Sequence, residues 1–255
     1  MQPLEILYED NHLLAVVKPV GLATMGVAEG TPSLLAVAKE YVKRRYHKPG
    51  NVYLGAMSRL DAPVSGVVLF ARTSKAAARL TEQFRARTVE KIYWAVVTGE
   101  PPPAGRCVDW LAKDERHRRM RIAEAGEAGA QEARLGFRRL ARLTHGWLLE
   151  VVLETGRKHQ IRVQLSRRGW PVLGDRKYGS RGTFPVGWAT TPTADAGPIP
   201  PANPTARKKT PQRANVNSGI GLHARQLTFS HPTRGQTICL VAPLPAAWTP
   251  LGIPE

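Results

Sequence analysis

The chain has 255 residues, is 42% apolar, and sets 37 Lys and Arg against 20 Asp and Glu for a formal net charge of +17. That apolar share allows a sizeable core and excludes global disorder. The charge excess points to a polyanion, since each neutralised phosphate releases condensed counterions, with an anionic membrane surface or a basic solvated face as the other readings.

The sequence holds no run of about 18 apolar residues, so no spanning helix is expected. Its start lacks a secretory signal. Cys107 and Cys239 are the two cysteines, which makes neither a disulfide framework nor a zinc pattern, so a reducing cytoplasm is the expected setting.

Two apolar stretches, Leu4–Tyr8 and Leu13–Val17, flank Glu9-Asp10-Asn11-His12 and read as strands joined by a tight turn. Lys18-Pro19-Val20-Gly21 breaks that pattern. Ser33 is placed to cap a helix reaching about Tyr46, with Leu34, Val37, Ala38, Tyr41 and Val42 on one face. Lys39, Lys43, Arg44 and Arg45 lie toward its polar side and C-terminal end. Gly66–Ala71 reads as a buried strand, and a helix from about Ser74 to Arg87 follows, with Leu80 and Phe84 four apart.

Lys91–Val97 is aromatic and β-branched, hence a strand with Tyr93, Ala95 and Val97 on one face. Lys113–Arg121 is a mixed-charge loop or hairpin edge, Trp147–Leu153 a strand, and Arg157–Arg168 a helix. Leu222–Phe229 and Thr237–Val241 form a closing strand pair around His231-Pro232. From Ser180 to Gly219 the chain has seven prolines, no leucine and the cluster Arg207-Lys208-Lys209. Such a segment cannot build a core and reads as a surface insertion in one domain spanning residues 1–255. Strands and helices intersperse without a βαβ rhythm. The expected class is therefore α/β of the α+β type, a mixed, largely antiparallel sheet with flanking helices.

Three segments carry the candidate chemistry: Ser58 through Gly66, Lys91-Ile92-Tyr93, and Gly156 through Arg162. Singly, each has an ordinary reading. Asp61 is an Asp in a turn before a strand. Arg162 follows Lys158 by four residues on a basic helix face, and Tyr93 is half-buried strand packing.

Together they resemble the RluA family of RNA pseudouridine synthases. That family carries His-Arg-Leu-Asp-x-x-Thr-Ser-Gly before an apolar strand, then a strand tyrosine some thirty residues later, then Gly-Arg-x-His-Gln-Ile-Arg. Gly169 through Gly179 is similar to its Gly-x-Pro-Ile-x-Gly-Asp-x-x-Tyr-Gly pattern, and Leu222-His223-Ala224 through His231-Pro232 to its closing strand. Leu13 through Gly21 is similar to its opening. Two positions depart: Ser58 stands for the family histidine and Val64 for its threonine, which bears on loop packing, substrate choice and rate more than on reaction type.

The resemblance implies a pseudouridine synthase fold with a central cleft, and an isomerase that turns specific uridines of structured ribosomal or transfer RNA into pseudouridine by base flipping. It implies Asp61 as the catalytic carboxylate, Arg162 as its buried partner, and Tyr93 stacked on the target base. Arg59 would fill the space that the base vacates, with Lys158 also on the RNA. Lys43, Arg44, Arg45 and the Lys113–Arg121 segment would hold phosphates. No cofactor or metal is expected: the isomerisation has no redox step, and the sequence holds no phosphate loop, dinucleotide fingerprint or metal-ligand cluster. His159, Gln160 and His223 would be architectural, and Cys107 and Cys239 small packing residues. No S4 RNA-binding module is expected ahead of the domain, and a monomer is the expected state. The alternatives are a non-catalytic RNA-binding protein that keeps the fold, and an enzyme for a free nucleoside, which the charge disfavours.

Overall fold

A computed structural model describes residues 4–184 and 219–253. Most of the Ser180–Gly219 insertion thus lies outside the described residues. The two N-terminal apolar stretches form the antiparallel hairpin β1 (Ile6–Glu9) and β2 (Leu13–Lys18). Its turn is closed by Asp10, whose Oδ1 accepts the His12 and Leu13 N–H groups, both at 2.8 Å. Helix α1 (Leu34–Arg45) begins where Ser33 Oγ accepts the Ala36 N–H at 3.2 Å, which satisfies one orphan donor of the first turn. It buries Leu34, Ala38 and Val42.

The two-residue β3 (Gly55–Ala56) and the fully buried β4 (Ser65–Ala71) follow, then α2 (Ser74–Arg85), capped by Thr73. This helix ends two residues before its expected limit, and Arg87 adopts a left-handed φ of 59° that a helix cannot contain. Next come β5 (Glu90–Val97), β6 (Ala104–Asp114), β7 (Arg119–Ala123), β8 (Gln131–Leu143) and β9 (Gly146–Leu153). The chain closes with α3 (Gln160–Arg167), β10 (Leu222–Ser230) and β11 (Thr237–Val241). Lys113–Arg121 is the tip of the β6–β7 hairpin. The expected α3 start at Arg157 moves to Gln160 because His159 is left-handed, with φ 53°.

The strands form one sheet in the order β1-β2-β4-β10-β5-β9-β8-β6-β7, with β3 on β4 and β11 on β10. Among the described residues, β4–β10 is the parallel pair and every other pair of named strands is antiparallel. The mixed, largely antiparallel α+β sheet expected from the sequence is the observed one. One buried cluster joins Leu14, Val68, Phe70, Leu149 and Phe229 of the sheet to Leu34 and Leu80 of the helices. Each such side chain contributes about 1.5–3 kcal/mol on burial. A second packs Trp248 against Phe184 and Leu148. Cys107 is buried as expected, whereas Cys239 is exposed, on an outward position of β11, and fills no core.

β10 positions the site. Its Ala224 pairs with Gly66 on one side and Tyr93 on the other, which sets the start of β4 level with the middle of β5. Gly66 has a φ of 122°, and a Cβ there would stand 2.3 Å from the Ala224 carbonyl oxygen. Only glycine permits that approach. His223 Nε2 donates to the Ala242 carbonyl at 3.3 Å, so its Nδ1 accepts the Ser65 hydroxyl at 2.9 Å. Ser65-Gly66 is thus the docking edge of β4 on β10.

Candidate active site

A cleft of about 860 Å³ opens beside this junction. Arg59 and Asp61 from the β3–β4 loop, Tyr93 from β5, Lys158 from the β9–α3 loop and Arg162 from α3 all line it. Lys43, Arg44 and Arg45 do not line it, and Arg44 is paired with Glu40. None of the Lys113–Arg121 side chains lines it either. The cleft cations are instead Arg59, Arg85, Arg87, Lys91, Arg157, Lys158 and Arg162.

Arg162 Nη1 donates to Asp61 Oδ2 at 2.7 Å. Its Nε and Nη2 donate to the two oxygens of Asp175 at 2.6 and 2.9 Å. Arg162 and Asp175 are buried, while Asp61 keeps one carboxylate face toward the cleft. Burial works to lower the Arg162 pKa, but the hydrogen bonds and charges of Asp175 and Asp61 carry it above the ordinary arginine value. The guanidinium therefore stays charged and holds both carboxylates in a fixed plane.

His159, expected to be architectural, also borders the carboxylate: its Nε2 lies 3.6 Å from Asp61 Oδ2. Burial, the largest influence, pushes its pKa down to about 4 against the pull of Asp61, so the ring is neutral at pH 7. The Tyr178 hydroxyl accepts the Met120 N–H at 3.0 Å and sits 2.7 Å from His159 Nδ1. Donating its own proton there leaves Nε2–H facing Asp61. Gln160 does serve the loop. Its Oε1 accepts the Thr155 hydroxyl and the Arg157 N–H at 2.8 and 3.0 Å, and its Nε2 donates to the Arg134 carbonyl at 3.0 Å.

The backbone on either side of Asp61 is clamped by the segment after β2. Buried Thr24 donates to the Leu60 carbonyl at 2.9 Å and accepts the Leu60 N–H at 3.0 Å. The Ala62 carbonyl accepts the Gly21 N–H at 2.8 Å and the Lys18 ammonium at 3.2 Å. Lys18 is wholly buried, and its other two protons go to the Pro19 and Leu22 carbonyls. Burial pushes its pKa down to about 7, opposed by Asp61. Three carbonyl acceptors match the three protons of the charged form. Ser58, where the family has histidine, accepts the Leu69 N–H at 3.1 Å and ties the loop to β4.

Tyr93 lines the cleft beside Asp61, and among the described residues its hydroxyl has no hydrogen-bond partner. Burial first and the Asp61 charge second raise its pKa, so it is a neutral phenol. Sequence reasoning missed Lys18, Thr24, Asp175 and Tyr178. Asp175 and Tyr178 lay inside a matched motif without an assigned role. A lysine directly before a proline at a strand end was the only hint of Lys18.

The fold and site are those of a mixed sheet with a cation-lined cleft, floored by a carboxylate on a buried arginine. Residues 12–167 match the family described as RNA pseudouridylate synthase. An uncharacterised RNA pseudouridine synthase of Synechocystis sp. is 33% identical over 96% of this chain and 66% of its own length. The ribosomal large subunit pseudouridine synthase D of Xanthomonas campestris pv. campestris is 33% identical over 95% of this chain and 66% of its own. Among solved structures, human RNA pseudouridylate synthase domain containing 4 superposes with a TM-score of 0.70 at 26% identity, covering 98% of this chain and 95% of that one. The chain belongs to the RluA-type RNA pseudouridylate synthase family. It spans about two thirds of the length of the curated relatives it matches.

Proposed function

We propose that the protein isomerises uridine to pseudouridine within RNA, with large-subunit ribosomal RNA as substrate. The observation that carries the reading is the 2.7 Å contact between Arg162 and Asp61 at the floor of a cation-lined cleft. In the reaction the C1′–N1 bond breaks, the base turns, and C1′ joins C5. The C5 proton departs and N1 ends protonated, so no oxidant, reductant or energy source is consumed.

Asp61 acts on the ribose or base as an ionised carboxylate, oriented by Arg162 and by the backbone clamp on Leu60 and Ala62. Tyr93, held as a neutral phenol, stacks on the base and offers a hydrogen bond. It is not a standing base. Arg59 is exposed at the cleft and has no ion-pair partner among the described residues. It is free to enter the space left when the base is extruded, a step that costs a few kcal/mol. Lys158 approaches the strand from the β9–α3 side. Ribosomal RNA is preferred over transfer RNA because the Xanthomonas relative's name specifies the ribosomal large subunit. A cytoplasmic, monomeric enzyme with one catalytic domain fits that substrate and a cleft built from one chain.

The test incubates purified protein with an unmodified large-subunit ribosomal RNA transcript and maps pseudouridine chemically. Wild type should produce it and Asp61→Ala should not, with RNA affinity retained. Equal signals from both proteins, each binding RNA, would establish the non-catalytic binder instead.

A further inference from the structure

One wall of the cleft carries two cations with no anion to hold. Lys91 and Tyr93 stand two residues apart on β5 and so share a face. Both line the cleft, together with Arg87 from the turn joining α2 to β5. Among the described residues neither the Lys91 nor the Arg87 side chain makes a hydrogen bond or ion pair. The cleft's two carboxylates are already engaged, Asp61 by Arg162 and Glu154 by Arg106. Arg85 is paired with Glu82. The C-terminal end of α2 supplies about half a negative charge, which offsets one cation in part and leaves the other.

Burial lowers the Lys91 pKa, and the neighbouring Arg87 charge lowers it further. Like charges gathered at a partly desolvated wall are unfavourable until an anion joins them. Same-face neighbours on a strand lie about 6.6–6.8 Å apart, a span comparable to that between a nucleotide's base and its phosphate. A base against Tyr93 therefore sets its phosphodiester within reach of Lys91.

We propose that Lys91 and Arg87 form a phosphate subsite that holds the RNA backbone beside the nucleotide lying on Tyr93, an assignment that rests on the RNA-substrate reading above. The strand then runs from the α2–β5 turn past Asp61, with Lys158 of the β9–α3 loop as a further cation lining the same cleft. The helix α1 cations take no part in this path.

The experiment measures affinity of the full chain for an unmodified large-subunit ribosomal RNA transcript across a salt series, alongside steady-state modification. It compares wild type, the double variant Arg87→Gln/Lys91→Gln, and the charge-matched control Lys39→Gln/Lys48→Gln, which lies off the cleft. The cleft variant should lower the slope of log affinity against log salt by about one per cation removed and raise KM about tenfold, with kcat changing less. The control should do neither, and Lys91→Arg should keep the wild-type slope. A wild-type slope in the cleft variant, or an equal drop in the control, overturns the subsite. Should Arg87→Gln/Lys91→Gln fail to fold, Arg87→Gln alone reads the same slope at half the change. If the slope difference appears but no protein forms pseudouridine, the activity reading fails and the subsite stands. If wild type does not bind the transcript, both fail.

Discussion

Asp175 grips Arg162 through two hydrogen bonds of 2.6 and 2.9 Å, and this leaves one guanidinium nitrogen, Nη1, for Asp61. The division of labour matters. Asp175 is 1% exposed and depends on Arg162 for neutralisation, while the Asp61 side chain is 26% exposed and keeps contact with the cleft. On the proposed reading, stability and activity therefore run through different bonds of one guanidinium.

Removing Arg162 separates the two. Arg162→Met strands the Asp175 charge and should cost about 3–5 kcal/mol, visible as a lower urea midpoint. Arg162→Met/Asp175→Leu removes the stranded charge and should recover most of that stability. It should still form no pseudouridine, because Asp61 has lost its partner. Restored turnover in the double variant would show that Arg162 serves only the fold.

The Thr24 clamp predicts a smaller, more selective loss. Thr24→Val keeps the shape but strands the Leu60 N–H and carbonyl, at about 1–3 kcal/mol for each group left unpaired. Because Leu60 adjoins Asp61, kcat should fall while KM holds, and Thr24→Ser should restore both bonds and the rate. A kcat unchanged in folded Thr24→Val would mean that the loop holds Asp61 without this clamp.

Much of this architecture was legible in the sequence wherever period and polarity agreed. The α1 cap at Ser33 and the apolar run of β4 needed only local rules. β6 and β8 were not read because their alternation is diluted by charge. In β8, Ala133, Leu135 and Phe137 face inward, but Arg134, Arg138, Arg139 and Arg142 interleave them. Cross-strand partners such as Glu150, 2.6 Å from Arg138, make such a strand tolerable, and no local window shows them. The same holds at the site. The ordered motifs pointed to Asp61 and Arg162, but the roles of Lys18, Thr24 and Asp175 exist only through contacts that folding creates.

Gly66 is the sequence position with least tolerance at the junction. Gly66→Ala must leave a φ of 122° or push its Cβ into the Ala224 carbonyl, and both separate β4 from β10. The expected loss is about 3 kcal/mol or more, read as a drop in Tm. Gly26→Ala is the contrast. It shares a positive φ, but nothing lies within 4 Å of its added Cβ, so it should lose only the cost of the backbone conformation. Equal Tm losses in the two would remove the close approach as the reason for glycine at 66.

Acid should unfold this protein earlier than its carboxylates alone require. His159 and His223 are both neutral in the fold, with burial, the leading cause, holding each pKa down to about 4. In the unfolded chain they titrate near the ordinary histidine value of 6.5. Between those values the unfolded state binds protons that the folded state refuses, so stability rises with pH through that window and falls as pH is lowered from 6.5 toward 4. At pH 5 each histidine would remove about 2 kcal/mol at most. Asp10 works in a different range. Burial would raise its pKa, but hydrogen bonds from His12, His231, Leu13 and Tyr8 hold it below the ordinary aspartate value of 3.8, so its contribution is lost only below that. His223 is the cleaner probe, because His159 also feels Asp61. Urea midpoints taken from pH 7 to pH 5 should decline in wild type and decline about half as steeply in His223→Gln, whatever its stability at pH 7. An identical decline in the two proteins would assign the acid sensitivity elsewhere.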